Sequence, residues 1–187
     1  MVQAGTINTA PKLERARTYL AGAIDLRLAG DYEFANSAIQ YALRYAAEAS
    51  EEGVLDADIE FNKIVRVWGM LLLDQGDAKG ALEMFHAARD GFGALNEELE
   101  YAKSTSMCGS AYDALGDNEA ALGCFDRAYL ALMLHRDNDA ALSNATRHLK
   151  VLRGSARLDL AATALELTFK TGHIRRVGEI IGSLLPR

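Results

Sequence analysis

The stretch CGSAYDALGDNEAALGCFDRA, residues 108–128, carries the pattern from which the architecture can be worked out. An apolar helical run ends at Gly116, Asp117 follows, and a second run opens with Ala121 and continues through Phe125. Glycine suits the left-handed conformation that ends many helices, and aspartate is a preferred N-cap for the helix that follows. The stretch therefore predicts two antiparallel helices joined by a tight turn.

The same pattern occurs twice more, in GAIDLRLAGDYEFANSAIQYA (residues 22–42) and WGMLLLDQGDAKGALEMFHAA (residues 68–88). Each copy has a bulky residue four before and nine after the turn glycine. Each also has small residues at three fixed offsets, which are Ala23, Ala35 and Ala42, then Gly69, Ala81 and Ala88, then Gly109, Ala121 and Ala128. Small residues let two helices approach closely, and bulky residues fill the space between them. A fixed internal period of this kind indicates a repeat architecture.

These offsets resemble those of the tetratricopeptide repeat family. The turn glycines Gly30, Gly76 and Gly116 lie 46 and 40 residues apart, whereas the family period is about 34. Gly154 continues the spacing into a fourth repeat with poorer key positions. Neither of the two prolines stands at a repeat end. The longer repeat resembles the variety found in kinesin light chains and in bacterial regulatory proteins of this family.

The resemblance implies an all-α fold, a right-handed superhelix of about four helix pairs with a C-terminal capping helix. We expect a disordered lead over residues 1–11 and one domain over 12–187. Its repeats lie near 12–50, 56–94, 96–135 and 138–171. The helices are expected at 12–29, 31–49, 56–75, 77–91, 96–115, 117–135, 138–153, 156–171 and 173–184.

The last segment, HIRRVGEIIGSLL, has its apolar residues along one stripe and is expected to form the capping helix over 173–185. An array of repeats must cover its final apolar face, and a single amphipathic helix does so. The alternative is that this helix packs on a second copy of the chain and produces a homo-oligomer.

Composition indicates where the protein is located and whether it enters a membrane. The chain has 187 residues, of which 50% are hydrophobic and 25% charged, as in ordinary soluble domains. No apolar run approaches the roughly 18 residues of a membrane span, and the first residues lack a secretion signal. Two cysteines without paired spacing fit a reducing compartment. We therefore expect a cytoplasmic protein that does not insert into membranes.

No residue pattern indicates catalysis. Cys108 and Cys124 occupy packing or near-packing places in the third repeat, where cysteine acts as a small apolar residue. The four histidines share no metal-ligand spacing, and the sequence has neither a phosphate-binding loop nor a nucleophile elbow. We expect no enzymatic activity, no metal and no cofactor.

The resemblance places the binding surface in a concave groove lined by the first helix of each pair. The residues that this register assigns to the groove are Arg17, Leu20, Ile24, Arg27, Lys63, Arg66, Met70, Lys103, Ser106, Ser110, Asn144 and His148.

Two features of the groove suggest a partner. A basic residue stands thirteen positions before each turn glycine, namely Arg17, Lys63 and Lys103, and exposed apolar residues are expected between them. The apolar residues are Leu20, Ile24 and Met70. A cationic edge beside an apolar floor suits an acidic or amphipathic peptide. The alternative, that these are ordinary solvated lysines and arginines, stays open.

Other features argue against two partner classes. The chaperone-type carboxylate clamp of this family needs lysine and asparagine where Leu20 and Ile24 stand, so that clamp is absent. A partner that ends in the acidic heat-shock tail is therefore disfavoured. Residues 1–136 carry 12 basic and 21 acidic side chains, and residues 137–187 carry 8 and 5. The acidic body argues against nucleic-acid binding, which requires a basic surface.

The sequence therefore predicts a non-enzymatic protein-interaction module or adaptor that binds a partner peptide or helix in its groove. The alternatives are a small dedicated chaperone resembling those of bacterial secretion systems, a self-assembling scaffold, and the sensor part of a peptide-responsive regulator.

Overall fold

The computed structural model describes residues 11–152 together with Ala164 and Glu166, and every described element is an α-helix. The helices are α1 (Pro11–Leu28), α2 (Tyr32–Glu51), α3 (Ala57–Asp74), α4 (Ala78–Ala94), α5 (Glu98–Ala114), α6 (Asn118–Leu134) and α7 (Asn138–Leu152). Their ends agree with the first seven predicted helices to within three residues. Of the predicted helix over 156–171 only Ala164 and Glu166 are described, and both are helical, while the capping helix lies outside the described residues. No described helix is long and apolar enough to cross a bilayer.

A left-handed glycine ends the first helix of each pair, and an aspartate caps the start of the second, as the sequence predicts. Gly30, Gly76 and Gly116 have φ of 80°, 85° and 82°. The Asp77 carboxylate accepts a hydrogen bond from the Gly80 backbone N–H at 2.9 Å, and Asp31 and Asp117 cap α2 and α6 in the same way. The predicted turn chemistry is confirmed.

Two of the turns between repeats use the same geometry without glycine, which the sequence pattern did not predict, whereas the α2–α3 turn contains Gly53 with φ of 69°. Asn96 and Arg136 have φ of 58° and 57° in the three-residue turns before α5 and α7. The backbone N–H of the residue after each one bonds back to a carbonyl five residues earlier, at 2.9 and 3.1 Å. A left-handed non-glycine residue costs about 1 kcal/mol, which these closing bonds offset. The long period therefore comes from 17-residue helices joined by short turns.

The helices fall into two compact units, one ending at Gly76 and the other beginning at Asp77. The boundary lies inside the predicted second repeat, and the single domain over 12–187 remains a prediction. In the first unit α1 packs on α2, α2 on α3, and α1 also contacts α3. In the second unit α4, α5, α6 and α7 pack consecutively, and α5 also contacts α7.

Small residues are buried between the helices of both units. Ala23, Ala35 and Ala42 are fully buried in the core of the first unit, beside Ile39 and Leu71. In the second unit Ala81, Ala88, Ala121 and Ala128 are at most 1% exposed, and Phe85 and Phe125 are equally buried. The predicted division between small and bulky core residues is confirmed.

Candidate functional site

The residues assigned to the groove lie on the first helices of the repeats, α1, α3, α5 and α7. Eight are half-buried, namely Arg17, Ile24, Arg27, Lys63, Arg66, Met70, Lys103 and Ser110. Four are buried, namely Leu20, Ser106, Asn144 and His148. The surface that these residues can offer a partner is therefore smaller than the register alone predicts.

In the first unit the apolar part of this surface is formed by Ile24 and Met70. Both are half-buried and pack against the core cluster that contains Val67. Leu20, expected to be exposed, is only 8% exposed and belongs to that cluster. The reason is that α1 contacts both α2 and α3, so its buried stripe is wider than that of a helix with one neighbour.

A buried carboxylate holds two of the predicted groove cations. Glu60 is 5% exposed, and its Oε2 lies 3.5 Å from Arg17 Nε and 3.5 Å from Lys63 Nζ. Arg17 Nη1 also donates to Glu14 at 2.9 Å. Burying a carboxylate is costly unless cations pair with it, and these two contacts tie α1 to α3 near their N-termini.

A second ion pair joins the other ends of the same two helices. Arg27 Nη1 donates to Asp74 Oδ2 at 2.6 Å, and the Arg27 side chain is only 14% exposed. The two ion pairs lie at opposite ends of α1 and α3, with Ile24 and Met70 between them along the chain. The first unit thus presents a short apolar surface between two charged contacts.

In the second unit Lys103 makes the corresponding contact between α5 and the start of α7. Its Nζ lies 2.9 Å from Asp137 Oδ2 and 3.1 Å from Glu100 Oε1. Asp137 also caps α7 by accepting from the Ala140 N–H at 3.0 Å. Burial disfavours both charges, but the hydrogen bonds outweigh it, raising the pKa of Lys103 and lowering that of Asp137. The basic residues expected to form a free cationic edge are therefore engaged with acids of their own unit.

Replacing Asp137 with asparagine should lower the free energy of unfolding at pH 7 by about 1 kcal/mol, because asparagine keeps the cap oxygen but not the charge. A lowered folded-state pKa means that the Asp137 contribution is present above about pH 3.8 and disappears as pH falls through the lower folded value. The raised pKa of Lys103 means that this side chain loses its own charge only above pH 10.5, outside the acid range in which Asp137 titrates. Urea denaturation at a series of pH values should show a difference that is constant near pH 7 and shrinks as pH falls below 3.8. A difference that stayed constant over the whole series would contradict the ion-pair explanation.

Three polar groove residues of α5 and α7 are interior side chains. Asn144 is fully buried, and its Nδ2 donates to the Phe125 carbonyl at 2.9 Å. The His148 ring stacks on the Phe125 ring with centroids 5.9 Å apart, and Ser106 accepts from Arg147 Nη1 at 3.4 Å. These contacts pack α7 against α5 and α6. Ser106, Asn144 and His148 therefore do not lie on an accessible surface, which corrects their expected place.

Sequence reasoning missed the acids that complete this arrangement. Glu60 lies in the first turn of α3, and Asp137 is the N-cap of α7. Each pairs with the basic residue of the preceding repeat that stands thirteen positions before the turn glycine, Arg17 and Lys103 respectively. An acid near the start of each first helix is a recognisable signal. Its pairing could not be assigned, however, without knowing how successive first helices are placed.

The cysteines are packing residues in the structure. Cys108 and Cys124 are buried and free, and burial, followed by the neighbouring Cys124, raises the pKa of the Cys108 thiol to about 12. Such a thiol is unreactive at neutral pH. Within residues 11–152, Ala164 and Glu166, no three His, Cys, Asp or Glu side chains are grouped as metal ligands.

Solved structures of helical-repeat proteins resemble this fold. Aspartyl phosphate phosphatase F from Bacillus subtilis superposes with a TM-score of 0.79 at 12% sequence identity, over 91% of this chain and 44% of that one. The apo form of RapI gives 0.65 at 18% identity, over 88% and 44%. BtubC (BKLC) from P. vanneervenii gives 0.51 at 16% identity, over 92% and 85%.

These similarities show a tetratricopeptide-like helical repeat fold. No protein-family model and no curated protein sequence matches the chain. The chain spans 44% of the length of each of the first two structures.

Proposed function

We propose that this chain is a non-enzymatic protein-interaction module that binds a peptide or helix of a partner protein along α1 and α3. The observation that supports this most directly is the surface of the first unit, where half-buried Ile24 and Met70 lie between the Arg17–Glu60–Lys63 and Arg27–Asp74 ion pairs. An apolar strip with charged groups at both ends suits one amphipathic segment, whose apolar side chains contact the strip.

The charge state of this surface refines the partner chemistry. Glu60 and Asp74 neutralise much of the charge of Arg17, Lys63 and Arg27, so the surface is not strongly cationic. Most of the affinity for the amphipathic partner segment therefore comes from its apolar side chains. Its acidic groups increase the selectivity and the association rate. This role assigns no catalytic step to the chain, and a cytoplasmic location belongs to the same proposal.

Affinity capture from the native cells, followed by calorimetry and stopped-flow binding with the recovered partner, tests the proposal. Lys63→Gln should weaken binding by about 1 kcal/mol through a slower, less salt-dependent association. Met70→Ala should weaken it by a similar amount through faster dissociation. Glutamine is used because a glutamate at position 63 would repel buried Glu60.

Lys79→Gln is the matched control. Lys79 is exposed on α4, outside the proposed surface, and its replacement should leave binding unchanged. If the Lys79 variant lost binding while the Lys63 and Met70 variants kept it, the partner would bind a second-helix face and the proposal would be wrong. A dedicated chaperone would be distinguished by capture of one unfolded client, and a scaffold by capture of further copies of this chain.

A further inference from the structure

A cluster of tyrosines and arginines lies on the outer side of α1 and α2, away from the proposed peptide surface. The tyrosine–arginine patch consists of Arg15, Tyr19, Tyr41, Arg44 and Tyr45. An α-helix turns by about 100° per residue. Arg15 and Tyr19 therefore point about 140° away from the mean direction of the four groove residues on α1. The patch is therefore a separate surface of the first unit.

The three aromatic rings form one platform. The Tyr19 ring stacks on Tyr41 with centroids 5.2 Å apart and on Tyr45 with centroids 5.7 Å apart. Tyr19 is 36% exposed and Tyr41 is 46% exposed. Stacking immobilises side chains that would otherwise lose entropy on binding, so this exposed platform is already ordered for contact.

Two guanidinium groups converge on this platform. Arg44 Cζ lies 5.0 Å from the Tyr45 ring centroid and 5.2 Å from that of Tyr41, and Arg15 Cζ lies 5.6 Å from that of Tyr45. Hydrogen bonds from Arg44 and then Arg15 lower the pKa of the Tyr45 phenol. A guanidinium stacked on a ring keeps its N–H donors at its edge, where a carboxylate can accept two of them.

Arg15 on α1 and Arg44 on α2 differ from the other cations of α1 in how their charge is compensated. Lys12, Arg17 and Arg27 each have a carboxylate oxygen within 3.1 Å. Arg44 lies 3.9 Å from Glu48, whose other oxygen is 3.1 Å from Lys12. Among residues 11–152, no carboxylate pairs with Arg15. The patch thus holds two positive charges over the Tyr45 ring that residues 11–152 leave largely uncompensated, on a chain whose net charge is −6.

We propose that the tyrosine–arginine patch is a second docking surface, which binds a glutamate- or aspartate-rich segment of a partner protein. Carboxylates of that segment accept hydrogen bonds from Arg15 and Arg44, and the methylene groups of its side chains contact the exposed parts of Tyr19 and Tyr41. Charge complementarity specifies the acidic partner, and tyrosine with arginine is the composition of binding hot spots. A single-stranded nucleic acid fits less well, because the tyrosine rings already stack on one another and the surrounding chain is acidic.

The test is an NMR titration of the ¹⁵N-labelled full chain with acetyl-hexaglutamate amide, following the arginine Nε–Hε and backbone signals. Hexaglutamine, inorganic phosphate and an eight-residue oligothymidylate serve as comparison probes. Signals of Arg15, Arg44 and the neighbouring α2 backbone should shift with hexaglutamate and not with hexaglutamine. Arg15→Gln with Arg44→Gln should weaken hexaglutamate binding at least tenfold.

The control is Lys79→Gln with Lys150→Gln, which removes the same charge from exposed positions on α4 and α7 and should change binding less than twofold. The proposal is overturned by no shift at millimolar hexaglutamate, by equal losses in the two double variants, or by tighter binding of phosphate or oligothymidylate. Self-association that the arginine variants abolish would likewise overturn it, because the occupant would then be a second copy of the chain. The Lys63 and Met70 variants should leave this titration unchanged, which separates the patch from the proposed peptide surface.

Discussion

Replacing Phe125 with alanine should lower the free energy of unfolding by about 3–5 kcal/mol. The Phe125 side chain is 1% exposed and packs with Ala121 and Val151. Its ring also stacks on His148. The helices around it are held by their own turns, so they cannot close fully over the space left by the missing ring.

Far-UV circular dichroism during urea denaturation is the suitable measurement, because the single tryptophan, Trp68, lies in the other unit. Phe34→Ala is the matched control, since Phe34 on α2 is 63% exposed and its loss should change stability by less than about 0.5 kcal/mol. Similar losses for the two variants would show that Phe125 is not a principal core residue.

Gly109→Ala should destabilise the protein by about 2 kcal/mol, although alanine is ordinarily the better helix former. A Cβ atom built on Gly109 of α5 would lie 2.7 Å from Phe125 Cε1. The ring cannot move away easily, because it is buried between α5, α6 and the His148 ring. The close approach of α5 and α6 therefore requires glycine at this position.

Gly123→Ala is the control with the opposite expected sign. Gly123 is an exposed residue of α6, and an added Cβ would meet nothing within 4 Å. This change should stabilise the protein by about 0.5–1 kcal/mol through helix propensity and reduced freedom of the unfolded chain. Combining Gly109→Ala with Phe125→Leu should cost less than the sum of the single changes, because the smaller side chain relieves the clash. If the two losses of stability simply added, the Gly109→Ala effect would not come from contact with the Phe125 ring.

Much of the helical framework was predictable because it depends on local chemistry. The Gly116–Asp117 pair ends one helix and caps the next through groups a few residues apart, so its structure follows from residue type and order. The turns at Asn96 and Arg136 use the same geometry but were missed. Asparagine is enriched in the left-handed conformation and was a usable signal at position 96, whereas arginine adopts it only where the surrounding turn requires it.

The groove was predicted less well, because exposure depends on how many neighbours a helix has. The register correctly placed Arg17 and Lys63 on first helices, yet it did not reveal that both contact Glu60. Leu20 was expected to be accessible and is buried where α1 meets α2 and α3. A residue's repeat position gives the direction of its side chain but not the element packed against that direction.

The order of residues along the chain was sufficient for the all-α class, the helix ends and the small and bulky core positions such as Ala121 and Phe125. These features depend on helical periodicity and on contacts between adjacent helices, and the residue pattern of a single repeat predicts both. Only the tertiary structure determined which charges are compensated. Glu60 neutralises cations on α1 and α3, while Arg15 and Arg44 lie over the Tyr45 ring, and Arg44 is 3.9 Å from the Glu48 carboxylate. Coulombic and stacking contacts depend on distances of a few ångströms between residues far apart in sequence, which the packing of the helices sets.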